Sequence, residues 1–393
     1  MGATDAIYLD NQATTPTDRR VLESMLPLLE AGGVGNPHSQ HFAGQQAAEA
    51  VERARSQIAE LVGAVPEEIV FTSGATEANN IAILGIAGAA GRRGDHVVTC
   101  ATEHSCVLQT ALSLRERGFD VDVLPVDGSG LVDVARLASL ITERTALVSV
   151  MTANNEIGVL QPISEIATIC RSHGIPFHTD AAQAAGKIPI DVVASGVDVM
   201  SLSGHKIYAP IGIGALFVAE DCPVRPEPVF RGGSQERGLR PGTVPAHLAV
   251  AMGAAAELAR RRLGADADHC SRLRARFLEV VMPAFADAFV NGAAAPRLPG
   301  SLSLTIPGVD ADHLVGALQP RVAISTSAAC SSGTIEASHV LRAIGLGERD
   351  AKSTVRIGFG RQNTIEQAET AAVLLRDAAE KIRGNAVSSD AAA

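Results

Sequence analysis

"EIVFTSGATEANNIAILGIAGAA", residues 68–90, decides how this chain folds. A short apolar run, "EIVFT", passes through Ser73, Gly74, Ala75, Thr76 and Glu77 into a longer helix-like stretch. The run is too short for a helix and is closed by a glycine turn, so it reads as a buried strand leading directly into a helix. The pattern recurs downstream. "DHVVTC" (95–100) precedes "EHSCVLQTALSLRERG", and "TALVSVM" (145–151) precedes "PISEIATICRSHG". "IPFHTD" (175–180), "VDVMSLS" (197–203) and "IGALFVA" (213–219) follow. Continuous apolar strands alternating with amphipathic helices predict an α/β fold with a mostly parallel sheet covered on both faces.

The totals are consistent with that fold. A chain of 393 residues suits about two domains. Hydrophobic residues at 46% and charged residues at 19% describe an ordered soluble protein. A net charge of -10 with no long basic run argues against direct nucleic-acid binding. The absence of Trp and the presence of only two Tyr argue against base-stacking platforms. Six scattered cysteines without a CxxC pair suggest neither a disulfide framework nor a metal site, and so a reducing compartment. "MGATDAIYLD" lacks the apolar core of a secretion signal, and Ala6 stands where myristoylation wants Ser or Thr. "NNIAILGIAGAAG" is too short and glycine-rich to span a membrane. A cytoplasmic location is expected.

Beyond about residue 220 the alternation weakens. "PVFRGGSQERGLRPGTV" reads as a loop that something outside it must hold. An alanine-rich helix is predicted near 245–262, continuing into "CSRLRARFLEVVMPAF". "GSLSLTIPG" and "VAISTS" read as strands of a second, smaller α+β domain.

In open α/β sheets, ligands sit beyond the carboxyl ends of the strands, so the residues after each apolar run carry the function. The Ser73–Thr76 turn exposes backbone N–H groups at a helix start, which suits a phosphate, although such turns also occur in ordinary proteins. Later runs deliver Glu103 and His104, then Asn154, Asn155 and Glu156, then Asp180 with Gln183. The last, "SLSGHK", supplies Ser203, His205 and Lys206. Singly, each has a bland reading: a surface histidine, a helix-capping aspartate, an exposed lysine. Together they converge on one crevice. The glycine spacing fits neither the dinucleotide nor the P-loop motif. Pyridoxal phosphate needs a lysine for its aldehyde, an acid for its ring nitrogen and a phosphate cradle. Lys206, Asp180 and the Ala75–Thr76 turn supply them.

The chain resembles the cysteine desulfurases of the class V-like pyridoxal phosphate enzymes. The resemblance runs from "YLDNQATTP" through "GNPHSQHFAG", "EIVFTSGATEANN", "TEHSCVL", "NNEIGVLQPI", "HTDAAQAAGKIPID", "SGHKIYAPIGIGAL", "GGSQERGLRPGT" and "STSAACSSG" to "VRIGFGR". It implies the fold type I architecture. A large α/β domain (15–258) would carry a mostly parallel seven-stranded sheet. Residues 1–14 and 259–393 would form a small α+β domain with a mobile cysteine loop near 325–336. It further implies that Lys206 forms the cofactor imine, Asp180 holds the ring nitrogen protonated, and His104 stacks on the ring. Asn155 and Gln183 would lie near the phenolic oxygen, with Ala75, Thr76, Ser203 and His205 at the phosphate. Thr243 would be lent to a neighbouring subunit, which implies a homodimer with shared active sites.

By the same resemblance, Cys330 is the nucleophile, Arg356 clamps the substrate carboxylate, and Asn36 and Asn155 line the substrate pocket. L-cysteine would be converted to L-alanine, leaving a persulfide on Cys330 for a sulfur acceptor or iron–sulfur scaffold protein. The chain departs from the family pattern at Gln12, Thr326 and Ala328. The Gln12 change touches the entrance wall, and the other two touch loop stiffness. The Ser/Ala-rich cysteine loop resembles the housekeeping and nitrogen-fixation branch. A selenocysteine lyase would share the site and differ in selectivity. An aminotransferase would have no need of Cys330, and a non-catalytic scaffold no need of Lys206, Asp180 and Arg356 together.

Overall fold

The computed structural model describes residues 6–30, 35–90, 94–326 and 338–390. The chain opens with β1 (Ile7–Tyr8), α1 (Arg19–Met25) and α2 (Phe42–Val62). Strand and helix then alternate through β2 (Ile69–Thr72), α3 (Ala75–Ala90), β3 (His96–Cys100), α4 (Ser105–Ser113), β4 (Asp120–Leu124) and α5 (Val134–Leu140). Next come β5 (Thr145–Ser149), α6 (Ile163–Ser172), β6 (Phe177–Asp180), α7 (Val192–Ser195), β7 (Val199–Ser203) and β8 (Gly214–Val218). These seven strands, β2 to β8, form one sheet in the order β2-β8-β7-β6-β5-β3-β4. All its neighbours pair in parallel except β8, which runs antiparallel to both β2 and β7.

Every residue of β2, β3, β5, β6, β7 and β8 is buried, which is why these strands are mostly apolar and why polar members such as His178 and Asp180 of β6 are hydrogen-bonded. The edge strand β4 is different. Its "DVDVL" exposes both aspartates, so it lacks the continuous apolar signature and was not among the predicted strands.

A single helix, α8 (Ala246–Val281), covers the predicted helical stretch and its continuation in 36 residues, about 54 Å. Its first half packs into the core around the large sheet. Ala54 of α2 approaches so closely there that a Cβ on Gly253 would lie 2.6 Å from the Ala54 Cα. Its second half, with Leu273, Phe277 and Val281, joins a separate core.

That second core lies under β9 (Phe289–Val290), β10 (Ser301–Thr305), α9 (Ala311–Leu318), β11 (Val322–Ala323) and β12 (Ser325–Thr326). It continues past α10 (His339–Ala343) and α11 (Glu348–Ala351) to β13 (Thr354–Gly358) and α12 (Ile365–Asp390). β12, β13, β10 and β9 form a four-stranded antiparallel sheet, and β1 pairs with β11.

The Gly/Arg/Pro-rich loop is held from outside itself, as its composition requires. Glu236 is buried and receives two hydrogen bonds from Arg55 of α2, at 2.7 and 2.8 Å. It also accepts the Phe71 N–H of β2 at 2.7 Å. Glu236 and Arg237 adopt left-handed backbone conformations to make the turn.

Candidate active site

The carboxyl ends of β2, β3, β5, β6 and β7 open onto one cavity of about 400 Å³. Because β8 runs the other way, its starting end contributes Ile211, Gly212 and Ile213 to the same rim. Of the residues singled out in the sequence, Ala75, Thr76, His104, Asn155, Asp180, Gln183, Ser203, His205 and Lys206 all line it.

Lys206 sits on a short turn just after β7. Its amine donates to the carbonyls of Gln12 and Ala13 at 2.6 and 2.7 Å. Burial, reinforced by the Arg356 guanidinium, pushes it down to about 8. Such an amine is readily available in its nucleophilic, unprotonated form. Burial also lowers His205, to about 4, and its Nδ1 lies 3.1 Å from the Thr14 hydroxyl.

Asp180 ends β6 and is buried. One carboxylate oxygen accepts the Asn79 amide at 2.7 Å, and the other accepts the Ala182 N–H at 2.8 Å. A buried carboxylate whose two oxygens are both hydrogen-bonded is held in a fixed orientation. His104 caps α4, its Nδ1 accepting the Cys106 N–H at 3.1 Å. Burial lowers its pKa, so the neutral ring carries its proton on Nε2.

The β2–α3 turn is shaped for close approach. A Cβ on Gly214 of β8 would lie 2.6 Å from the Gly74 Cα, so β8 can carry no side chain where it passes the turn. The helix start at Ala75 and Thr76 therefore faces the cavity with its N–H groups. Glu77 braces the turn, accepting the Ser73 N–H at 2.5 Å and pairing with Arg240 at 2.8 Å.

Arg356 lies on β13 of the small sheet and reaches across to the Asn155 carbonyl at 3.4 Å. Asn36 and Thr243 are exposed and do not line the cavity. Cys330 lies outside the described residues, but both flanks of its segment are placed. On one side the Ser325 hydroxyl donates to Asp10 at 2.6 Å; on the other, Ser338 donates to Glu156 at 2.5 Å.

Sequence reasoning missed Asn79, which orients Asp180, and Asp10, which holds Arg356 at 2.9 Å. Asn79 had only a faint signal, an amide beside the apolar run of α3; its full burial, where an amide needs a partner, shows only in the fold. Asp10 had none, because its partners lie more than 300 residues away.

The donor set fits pyridoxal phosphate. An amine of lowered proton affinity, a satisfied buried carboxylate and an open helix N-terminus face one volume. Among the described residues the buried Asn155 Oδ1 has no partner, and leaving such a group bare costs about 1–3 kcal/mol.

This fold and site define a pyridoxal-phosphate-dependent enzyme of the aminotransferase type. The chain matches the family Aminotransferase class-V over residues 7–370 and belongs to it. Within that family its similarity is to cysteine desulfurases. It is 51% identical over 364 residues to the mitochondrial cysteine desulfurase of Drosophila melanogaster, covering 92% of this chain and 78% of that one. A solved NifS-like protein superposes with a TM-score of 0.88 at 34% identity, covering 95% of this chain and 98% of that one. SspA in complex with cysteine superposes with a TM-score of 0.80 at 36% identity, covering 91% and 99%.

Proposed function

We propose that this protein is a cysteine desulfurase, converting L-cysteine to L-alanine and passing the sulfur through Cys330. The observation that carries this reading is Lys206: a half-buried amine lowered to about 8, facing the same cavity as Asp180 and His104. When bound, pyridoxal phosphate supplies an electrophilic carbon for the substrate amine and a ring that withdraws electrons from the α-carbon. Lys206 would hold it covalently and Asp180 would keep its ring nitrogen protonated. Ala75, Thr76, Ser203 and His205 would bind its phosphate, with Asn155 and Gln183 at its phenolic oxygen and His104 against the ring.

Arg356 binds the substrate carboxylate through a planar fork of donors, fixing the orientation before chemistry. Lys206, once released, takes the α-proton. The Cys330 thiolate attacks the substrate sulfur. The substrate carbon–sulfur bond breaks as the new sulfur–sulfur bond forms. Cys330 is thereby oxidised to a persulfide while the substrate carbon is reduced to the methyl group of alanine. His104 Nε2 handles the proton at the substrate thiol. Support for Cys330 comes from the other thiols: burial pushes Cys100, Cys106, Cys170 and Cys222 up to about 12 and Cys270 up to about 11. None of the described cysteines would be a thiolate at neutral pH.

The finer reading places the enzyme in the cytoplasm, as a homodimer feeding an iron–sulfur scaffold or another thiolation pathway. The five described cysteines are free thiols, which suits a reducing compartment. Thr243, Phe230 and the cavity-rim residue Ile211 are exposed on one chain, which suits completion of the site by a second copy. Among the described residues, the largest hydrophobic core draws almost wholly on 15–258 and a second on the remainder, which supports that division, and a third, smaller cluster joins Ile157 and Val159 to Ala295, Val340 and Leu341 across it.

Mass spectrometry of the Cys330 peptide after addition of L-cysteine tests the central claim. One extra sulfur on that peptide supports it. Alanine release with an unmodified Cys330 overturns the assigned nucleophile.

A further inference from the structure

Behind the cofactor cavity lies a second, smaller one of about 40 Å³. Gln12 lines this rear cavity and Gln183 lines the cofactor cavity, and the Gln183 Nε2 donates to the Gln12 carbonyl. Lys187 lines the rear cavity, along with Asp266 and Cys270. Lys187 comes four residues after Gln183, where the left-handed Gly186 turns the chain.

The partners of this second amine are unusual. Asp266, the carboxylate of the rear cavity, is already committed to Arg361 and Arg262 at 2.9 and 3.0 Å. Among the described residues Lys187 forms no ion pair, and its amine makes one hydrogen bond, to Gln183 Oε1 at 3.1 Å. Gln183 Nε2 in turn donates to the Gln12 carbonyl at 2.8 Å, the same carbonyl that accepts Lys206 at 2.6 Å. A continuous chain of hydrogen bonds therefore runs from one lysine to the other.

We propose that Lys187 is a positioning residue for the Lys206 site: it locks the Gln183 amide with its oxygen turned to the rear cavity and its NH2 group turned to the cofactor cavity. The reason is an asymmetry of donors. An ammonium group can only donate, so it selects the amide oxygen, and the NH2 group is left for the other side. There the amide offers a donor, never an acceptor, to the phenolic oxygen of the cofactor, and it shares the carbonyl that steers Lys206. Burial, then the charge of Lys206, pushes the Lys187 amine down to about 7, so the lock is complete below that pH and loosens as the amine loses its proton.

The inference rests on the reading that the cavity holds pyridoxal phosphate, and the test separates the two. The holoenzyme is titrated with pH in the absence of substrate, following the visible absorbance of the bound cofactor, and cofactor affinity is measured by equilibrium dialysis. Wild type, Lys187→Met and Lys187→Arg are compared. The other charges that act on Lys206, from Arg356, Asp180 and Asp10, are the same in all three.

In Lys187→Met the amide is free to turn its oxygen toward the cofactor. Loss of the donor, and of any positive charge at position 187, both favour the protonated chromophore. The midpoint should rise by about half a pH unit or more, with roughly threefold weaker cofactor binding. Lys187→Arg keeps a donor and a permanent charge, so its midpoint should not rise above that of wild type. A Met variant with the wild-type midpoint overturns the inference. An Arg variant as displaced as the Met variant also overturns it, because it would show packing rather than donation. Wild-type protein that takes up no chromophore removes the cofactor reading itself, and this inference with it.

Discussion

Asp10 grips Arg356 with one carboxylate oxygen, at 2.9 Å, and Ser325 with the other, at 2.6 Å. The arginine proposed to read the substrate carboxylate is thereby tied to the root of the segment that carries Cys330. The side chains of both Asp10 and Arg356 are largely shielded from solvent, so the pair is better protected from screening than a surface salt bridge.

This arrangement predicts a binding defect for Asp10→Ala. Without its brace the guanidinium is free to rotate, and KM for L-cysteine should rise about tenfold while kcat changes little, the size of one charge-assisted hydrogen bond. Steady-state kinetics decides it, with Ser325→Ala as a milder control.

Lys206→Ala should abolish turnover, because the amine is assigned both the tether and the α-proton. Cys330→Ala should keep the cofactor absorbance and bind L-cysteine but accumulate no persulfide. Absorbance spectra and sulfide release, measured on both variants, separate the two roles.

Glu156 makes a pH-dependent contribution to stability. Burial pushes its carboxyl up to about 7, despite the Ser338 hydrogen bond and the nearby Arg356 charge. In the unfolded chain it would ionise near 4.5, so between 4.5 and about 7 the native state holds the extra proton. Its contribution is complete below that window and is lost as pH rises through it. Glu156→Gln should therefore gain in Tm relative to wild type as pH increases from 4.5 to 7. Melting curves at several pH values would show a flat difference if the carboxyl titrates normally.

Removing the anchor of the 228–244 loop should be costly. Glu236→Ala strips a buried Arg55 of its bidentate partner and leaves the Phe71 N–H unpaired. The loss should be about 3–5 kcal/mol in denaturant unfolding. A loss under about 1 kcal/mol would mean that water reaches the guanidinium.

Much of this molecule was legible in its sequence. The buried strands announce themselves because both faces are covered, which leaves continuous apolar runs such as "EIVFT" and "TALVSVM". Thr76, His104, Asp180 and Lys206 were legible because each stands where such a run stops, and strand ends converge in a parallel sheet. The edge strand β4 was not, since one wet face breaks the pattern.

The order of side chains along the strands, and the chemistry they carry, was thus settled by local sequence: hydrophobic periodicity and turn residues act over a few positions. Tertiary structure alone decided which groups answer one another across the chain. Asn79 meets Asp180, Asp10 meets Arg356, and Gln12 offers one carbonyl to Gln183 and Lys206. These contacts join residues 101 to 346 positions apart, beyond the reach of any periodic signal, and they exist only once the chain has folded.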